Sequence, residues 1–286
     1  MHDHSCRPDS RSRVFLPASA LVAFAWGLLV TALLFLSINA FERHSGEAEF
    51  ERRASNRFAA VREGLQDSIN VLSTVTRLFM TVPQVGRAQF DTFTRPMLAQ
   101  NPQIHLLTFQ RLVGEGERDR FEAQRRKQFP GFEIGELAHG AKVRAASRSR
   151  YLVIDYLEPM AANENVFGLD TFSRKDLEGA LQRACSTGQA SMTGLYPVML
   201  DNTLQKGLVL LMPVYRDGAV LARTGSNCAH VSGYTSAAFS SSRLFAQALA
   251  ARRALGTGFD VSVYAGRGPQ EQNLAFRHGA APAPAP

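Results

Sequence analysis

With 286 residues, 45% of them hydrophobic and 20% charged, the chain has material for one sizeable domain or two small ones. That composition excludes global disorder, which combines low hydrophobicity with high net charge. The formal charge is +7, but the basic residues are interleaved with acids, as in ERRASNR and RDRFEAQRRKQ, so they read as solvated helix faces and not as a nucleic-acid-binding stripe. The three cysteines form no C-x-x-C pair, which argues against a disulfide framework and against a zinc site; a single Cys185–Cys228 bridge fits only an oxidising compartment.

No charged residue occurs from Val14 to Phe41, and Ala18 to Ile38 is dense in Leu, Val, Ala and Phe, about the 20 residues that span a bilayer as a helix. Arg7, Arg11 and Arg13 precede it. This places residues 1–13 in the cytoplasm, residues 14–41 in the inner membrane as a single-pass anchor, and the rest in the periplasm or outside the cell. A cleaved signal peptide fits less well, because its apolar core is shorter and Ile38-Asn39-Ala40 is a poor cleavage site.

Residues 42–82 read as a stalk helix. Phe50, Ala54, Phe58, Val61, Leu65, Ile69, Leu72, Val75 and Phe79 recur every three or four positions, and no proline intervenes before Pro83. This stripe suits packing on its own domain and equally a homodimer through the stalk. A shorter helix starts at Arg87 and closes at Asn101-Pro102. Ile104 to Leu112 is a strand, Glu117 to Phe129 an amphipathic helix, FEIGEL a short strand and Ala138 to Arg150 a polar loop. Tyr151 to Leu157 is a strand, Phe167 to Asp170 a short one, and Ser173 caps a helix that stops before Gly188. Thr193 to Leu200 and Gly207 to Tyr215 pair around Asp201-Asn202 through a turn longer than two residues. HVSGYTSAAF is a strand, Ser241 to Ala251 a helix and FDVSVYAG a final strand; residues 266–286 form a disordered Ala/Pro tail. The mixture of helices and antiparallel pairs without a βαβ repeat is an α+β plan, two small sheets beside a long helix.

No P-loop, H-E-x-x-H or G-x-S-x-G motif occurs, and the histidines are scattered, so the expectation is no enzyme, no catalytic residue, no cofactor and no metal. Asp155, Glu158 and Asp170 are the acids nearest the central strands. Asp155 reads as solvent-facing. Asp170, at a strand end, is placed to accept hydrogen bonds from the N–H groups of a small molecule, with the Thr193 hydroxyl on the opposing strand and Leu211 and Tyr196 as apolar wall.

The stretch YLVIDYLEPMAANENVFGLDTFSRKDLEGALQRACSTGQASMTG, followed by GLVLLMPVY and preceded by LTFQRLVGEGERDRFEAQRRKQFPGFEI, resembles the CHASE sensor domain of plant cytokinin receptors and of bacterial histidine kinases and diguanylate cyclases. The resemblance covers about residues 76–265. It implies two PAS-like subdomains, a membrane-distal one over residues 83–215 that holds the ligand and a membrane-proximal one over residues 216–265. Asp170 matches the family's ligand-contacting aspartate, and Thr193 and Leu211 fall on its pocket strands; Leu211 stands where the plant receptors have threonine, which argues against cytokinin itself. The family's second membrane helix and output module do not follow here, so the expectation is a sensor read by a separate signalling partner. The alternative is a truncated remnant of a CHASE-containing kinase or cyclase.

Overall fold

The computed structural model describes residues 18–138, 140–215, 227–251, 260–266 and 268–279. The chain divides into two compact units, up to Asn56 and from Arg57 onward. Helix α1 (Ala18–Thr81) contributes to both. In the first unit its apolar side chains, among them Val22, Phe24, Trp26, Leu29, Leu33 and Phe35, are exposed. Among the described residues no helix is long and apolar enough to cross a membrane. The expected cytoplasmic tail and residues 14–17 of the expected anchor lie outside the described residues.

In the second unit the stripe of α1 divides. Phe58 is 71% exposed, whereas Leu72, Val75 and Leu78 are buried against the sheet, so the distal part of the helix packs on its own domain. Gly64, a poor helix former, has a packing reason: a Cβ there would stand 2.9 Å from the Cβ of Ala248. Helix α2 (Arg87–Gln100) follows. Strand β1 (Leu106–Gly114) leads through a 3-10 turn to α3 (Arg118–Arg126). Strands β2 (Gly135–Ala138) and β3 (Ala141–Arg144) form a small hairpin, which corrects the expected polar loop from Ala138 to Arg150. Strand β4 (Arg150–Glu158) comes next; Phe167 to Asp170, expected as a strand, makes isolated bridges.

Helix α4 (Lys175–Thr187) ends at Gly188, whose φ of 70° suits the left-handed position that glycine tolerates. Its N-cap is Arg174, not Ser173: the Ser173 hydroxyl donates to the Asp170 carbonyl at 2.6 Å inside a separate 3-10 turn. After β5 (Ser191–Met192), β6 (Tyr196–Leu200) and β7 (Thr203–Tyr215) form the expected hairpin. Its loop is two residues, shorter than expected: Asp201 and Asn202 have φ of 49° and 55°, and Leu200 pairs directly with Thr203. Asp and Asn tolerate the two positive φ values of a type I′ turn, whose twist matches that of the strands.

Strand β8 (Val231–Ser240) and helix α5 (Ser241–Ala251) follow, then β9 (Val261–Tyr264) and β10 (Leu274–His278). The antiparallel order β4-β1-β8-β7-β5, with β6 also on β7, puts β8 inside the main sheet. The expected start of a second subdomain at residue 216 is thereby corrected: β8 pairs with β1 and β7 together, and a central strand cannot be separated from the sheet it completes. Two two-stranded sheets, β2–β3 and β9–β10, accompany the main sheet among the described residues, and β10 falls in the tail expected to be disordered; its Phe276 is buried near Phe245. Residues 280–286 lie outside the described residues.

Strand alternation sends successive side chains to opposite faces. Leu107 and Phe109 of β1 meet α1, α2 and α5, with Phe109 stacked on Phe79 at 3.9 Å. Leu106 faces the other side, where α4 packs through Leu177, Leu181 and Ala184. Cys185 of α4 is disulfide-bonded to Cys228, with Cα atoms 4.9 Å apart, so the open question over these cysteines resolves as a bridge.

Candidate functional site

On the α4 face of the sheet a cavity of about 80 Å³ lies between β1, β4, β6, β7, β8 and the chain from Val166 to Leu177. Its walls are aliphatic: Ile154, Leu169, Val198, Val209 and Ala238 are buried there. Its floor is polar. Thr108 and Gln110 occupy alternate positions of β1, and register places Ser236 of β8 opposite Thr108. The Thr108 and Ser236 hydroxyls are 2.6 Å apart, Gln110 Nε2 donates to Ser236 Oγ at 3.0 Å, and the Thr171 hydroxyl donates to Gln110 Oε1 at 2.7 Å. Leu137, Ser173, Arg174 and Tyr196 are partly exposed and form the rim.

Asp170 lines this cavity and is buried, but its carboxylate is held by its own chain. Oδ1 accepts from the backbone N–H of Leu152 at 2.8 Å and of Phe172 at 3.1 Å, and Oδ2 accepts from Arg148 Nη1 at 2.7 Å. Burial pushes its pKa above the ordinary aspartate value, against the pull of those two N–H groups and of Arg148. The three acids of the central strands are not brought together. Asp155, expected to face solvent, is fully buried and pairs with Arg111 at 2.7 Å and Arg125 at 2.6 Å. Glu158 sits near Arg95, and burial, with Asp91 beside it, raises its pKa. Among the described residues no group of three or more His, Cys, Asp or Glu is arranged to hold a metal ion.

A family model described as the CHASE domain matches residues 83–276, more than half of the chain. The chain belongs to the CHASE domain family. No curated protein matches it. Among solved structures, one described as "Methyl-accepting Chemotaxis protein X" is 12% identical, covers 77% of this chain and 76% of that one, with a TM-score of 0.40. The periplasmic sensory domain of the Campylobacter jejuni chemoreceptor Tlp1 is 10% identical, covers 75% of this chain and 66% of that one, with a TM-score of 0.37. Likenesses at this level carry no argument about the site.

Within this CHASE domain Asp170 and Tyr196 share the cavity, while Thr193 and Leu211 do not line it. Thr193 is spent on the sheet: its N–H donates to the Val209 carbonyl at 2.9 Å and its hydroxyl accepts the Val209 N–H at 3.0 Å. Leu211 lies two positions along β7 from Val209, fully buried in the core against α4. Tyr196 keeps its ring under the Arg174 guanidinium at 5.2 Å, and burial pushes its hydroxyl pKa up. The residues that sequence reasoning missed are Thr108, Gln110, Thr171 and Ser236. The T-x-Q alternation of β1 is a sequence signal for polar groups on one sheet face, but Ser236 joins them only through strand pairing.

Proposed function

We propose that this chain is a membrane-anchored, extracytoplasmic sensor that binds a small molecule in the cavity beside Gln110. The observation that carries the reading is a hydrogen-bonding floor, buried beneath aliphatic walls, in a space without a protein side chain in it. Buried polar groups normally serve packing or recognition, and a few convergent polar groups in an apolar hollow are the usual form of a ligand site.

Two further features support the placement. The apolar run of α1 is exposed on all sides in the first unit, as befits a helix solvated by lipid, and the Cys185–Cys228 bridge suits an oxidising compartment outside the cytoplasm. The route to the stalk is short. On β8, Ser236 faces the cavity while its neighbour Thr235 meets Thr76 of α1, the hydroxyls 2.5 Å apart. On β1, Gln110 faces the cavity while Phe109 stacks on Phe79 of α1. A ligand that shifts β1 or β8 changes the packing of α1, which a separate signalling partner or a second copy then reads.

The test is thermal unfolding of the full chain in detergent micelles against a library of small molecules, beside an Ala238→Leu variant that fills the cavity. Ligands are expected to stabilise the wild type and not the filled variant. Equal stabilisation of both proteins removes the cavity from the reading.

A further inference from the structure

The floor and the charges around the cavity narrow the chemistry of what it holds. We propose that the cavity takes a compact, uncharged molecule that accepts one hydrogen bond, of the size and class of a small ketone, ether or lactone, and that it rejects carboxylates, amines and amino acids. The proposal rests on the cavity being the ligand site.

Size is the first constraint. A space of about 80 Å³ has room for roughly five to eight water-sized groups. This is well under the about 300 Å³ at which pockets for drug-sized ligands begin.

Charge is the second. Asp170 and Arg174 are the ionised side chains of the lining. Asp170 has both oxygens engaged, by Leu152, Phe172 and Arg148. Arg174 Nη2 donates to Asp176 at 3.0 Å and to the Pro197 carbonyl at 3.3 Å. Each ionised side chain of the lining is thus already in an ion pair, Asp170 with Arg148 and Arg174 with Asp176, and a further charge among aliphatic walls carries a large desolvation cost.

Hydrogen counting is the third. Thr108 and Ser236 bring two hydroxyl protons. One is shared between the two oxygens, which also accept from Gln110 Nε2 at 3.5 Å and 3.0 Å. The second proton has no acceptor among the described residues. Gln110 Oε1 faces the Thr171 hydroxyl at 2.7 Å, which also reaches the Leu152 carbonyl at 3.1 Å. The floor therefore offers the cavity a free O–H donor, and a ligand that supplies one oxygen acceptor completes it. A donor left unsatisfied in an apolar space costs more than a made bond returns, so the acceptor contributes affinity as well as orientation.

The experiment is calorimetric titration of the full chain in detergent micelles with cyclopentanone, γ-butyrolactone, methylcyclopentane, butanoate, butylamine and alanine, on wild type, Ala238→Leu and the milder fill Val209→Ile. Thermal unfolding of each variant establishes that it is folded. The expected result is saturable binding of the ketone and lactone at millimolar concentration or below, at least tenfold weaker binding of the three charged probes, and loss of binding in the filled variants. In a Thr108→Val, Ser236→Ala double variant the ketone weakens about fivefold relative to methylcyclopentane. Charged probes that bind as tightly as the ketone, and lose binding on filling, overturn the ligand class while leaving the cavity as the site. Absence of binding by the uncharged probes likewise overturns the class. Ketone binding unaffected by both fills overturns the cavity reading itself.

Discussion

Arg148 Nη1 donates to Asp170 Oδ2 at 2.7 Å, joining a partly exposed guanidinium to a carboxylate with no exposure at all. The acid that the sequence marks for a ligand thus serves first as a structural hub, tying β4, through Leu152, to the 3-10 turn at Phe172. Asp170→Ala removes three acceptor contacts from a buried site and is expected to cost about 3 kcal/mol in urea unfolding. In a double-mutant cycle with Arg148→Met the coupling is expected to be about 1–3 kcal/mol. A loss below about 0.5 kcal/mol for Asp170→Ala contradicts the hub role.

The Asp155 carboxylate receives Arg111 Nε at 2.7 Å and Arg125 Nε at 2.6 Å, and its carbonyl receives Arg87 Nη2 at 2.7 Å. These contacts bind α3 and the start of α2 to β4. Asp155→Ala leaves clustered guanidinium groups without their anion, and the expected loss is about 3 kcal/mol. Arg111, whose side chain is 40% exposed, rehydrates when released, so Arg111→Met is expected to cost under about 1 kcal/mol. Urea midpoints of the two variants give the comparison; equal effects would show that Asp155 acts through Arg111 alone.

The Cys185–Cys228 bridge closes a sequence separation of 43 residues between the last turn of α4 and the chain entering β8. Restricting that loop in the unfolded chain is worth about 4 kcal/mol at most. Reductant is expected to lower the thermal midpoint of wild type and to leave a Cys185→Ser, Cys228→Ser variant unchanged. A reductant-insensitive wild type rules out the bridge.

Glu122 predicts an acid limb of stability. Burial by itself raises its pKa, but the Ile134 N–H at 3.0 Å, Arg118 at 3.1 Å and nearby Arg144 outweigh it and hold the carboxyl below the usual range. Because the folded value is depressed, its contribution is complete above the ordinary glutamate pKa of about 4.3 and disappears as pH falls through the folded value. Glu122→Gln is expected to lose stability at neutral pH and to show a flatter acid limb. An unchanged slope between the two proteins refutes the assignment.

Much of this was legible in the chain. The 3.6-residue stripe of Leu65, Ile69, Leu72 and Val75 announced α1, and the buried set Leu177, Ala180, Leu181 and Ala184 announced α4, because helical amphipathicity is written in local spacing. The hairpin around Asp201-Asn202 was legible for the same local reason, though its two-residue loop was not. Asp155 could not be placed from its strand: its neighbours Arg111 and Arg125 come from β1 and α3, remote in sequence. The same holds for the expected pocket. Asp170 and Tyr196 reach it, while Thr193 is diverted by a hydrogen bond to Val209 that no spacing rule anticipates.

The amino-acid sequence by itself determined the helices, most of the strands, the lack of catalytic motifs and the CHASE likeness over the central stretch, all of which depend on patterns within a few dozen residues. Tertiary structure decided three things that depend on distant pairing. It inserted β8 between β1 and β7, bonded Cys185 to Cys228, and set Ser236 across from Thr108 with Gln110 beside them. The physical reason common to all three is that the partners lie beyond the reach of local spacing, 43 residues apart for the two cysteines and 128 for Thr108 and Ser236. A one-residue slip of β8 would turn Ser236 from the cavity to the stalk face.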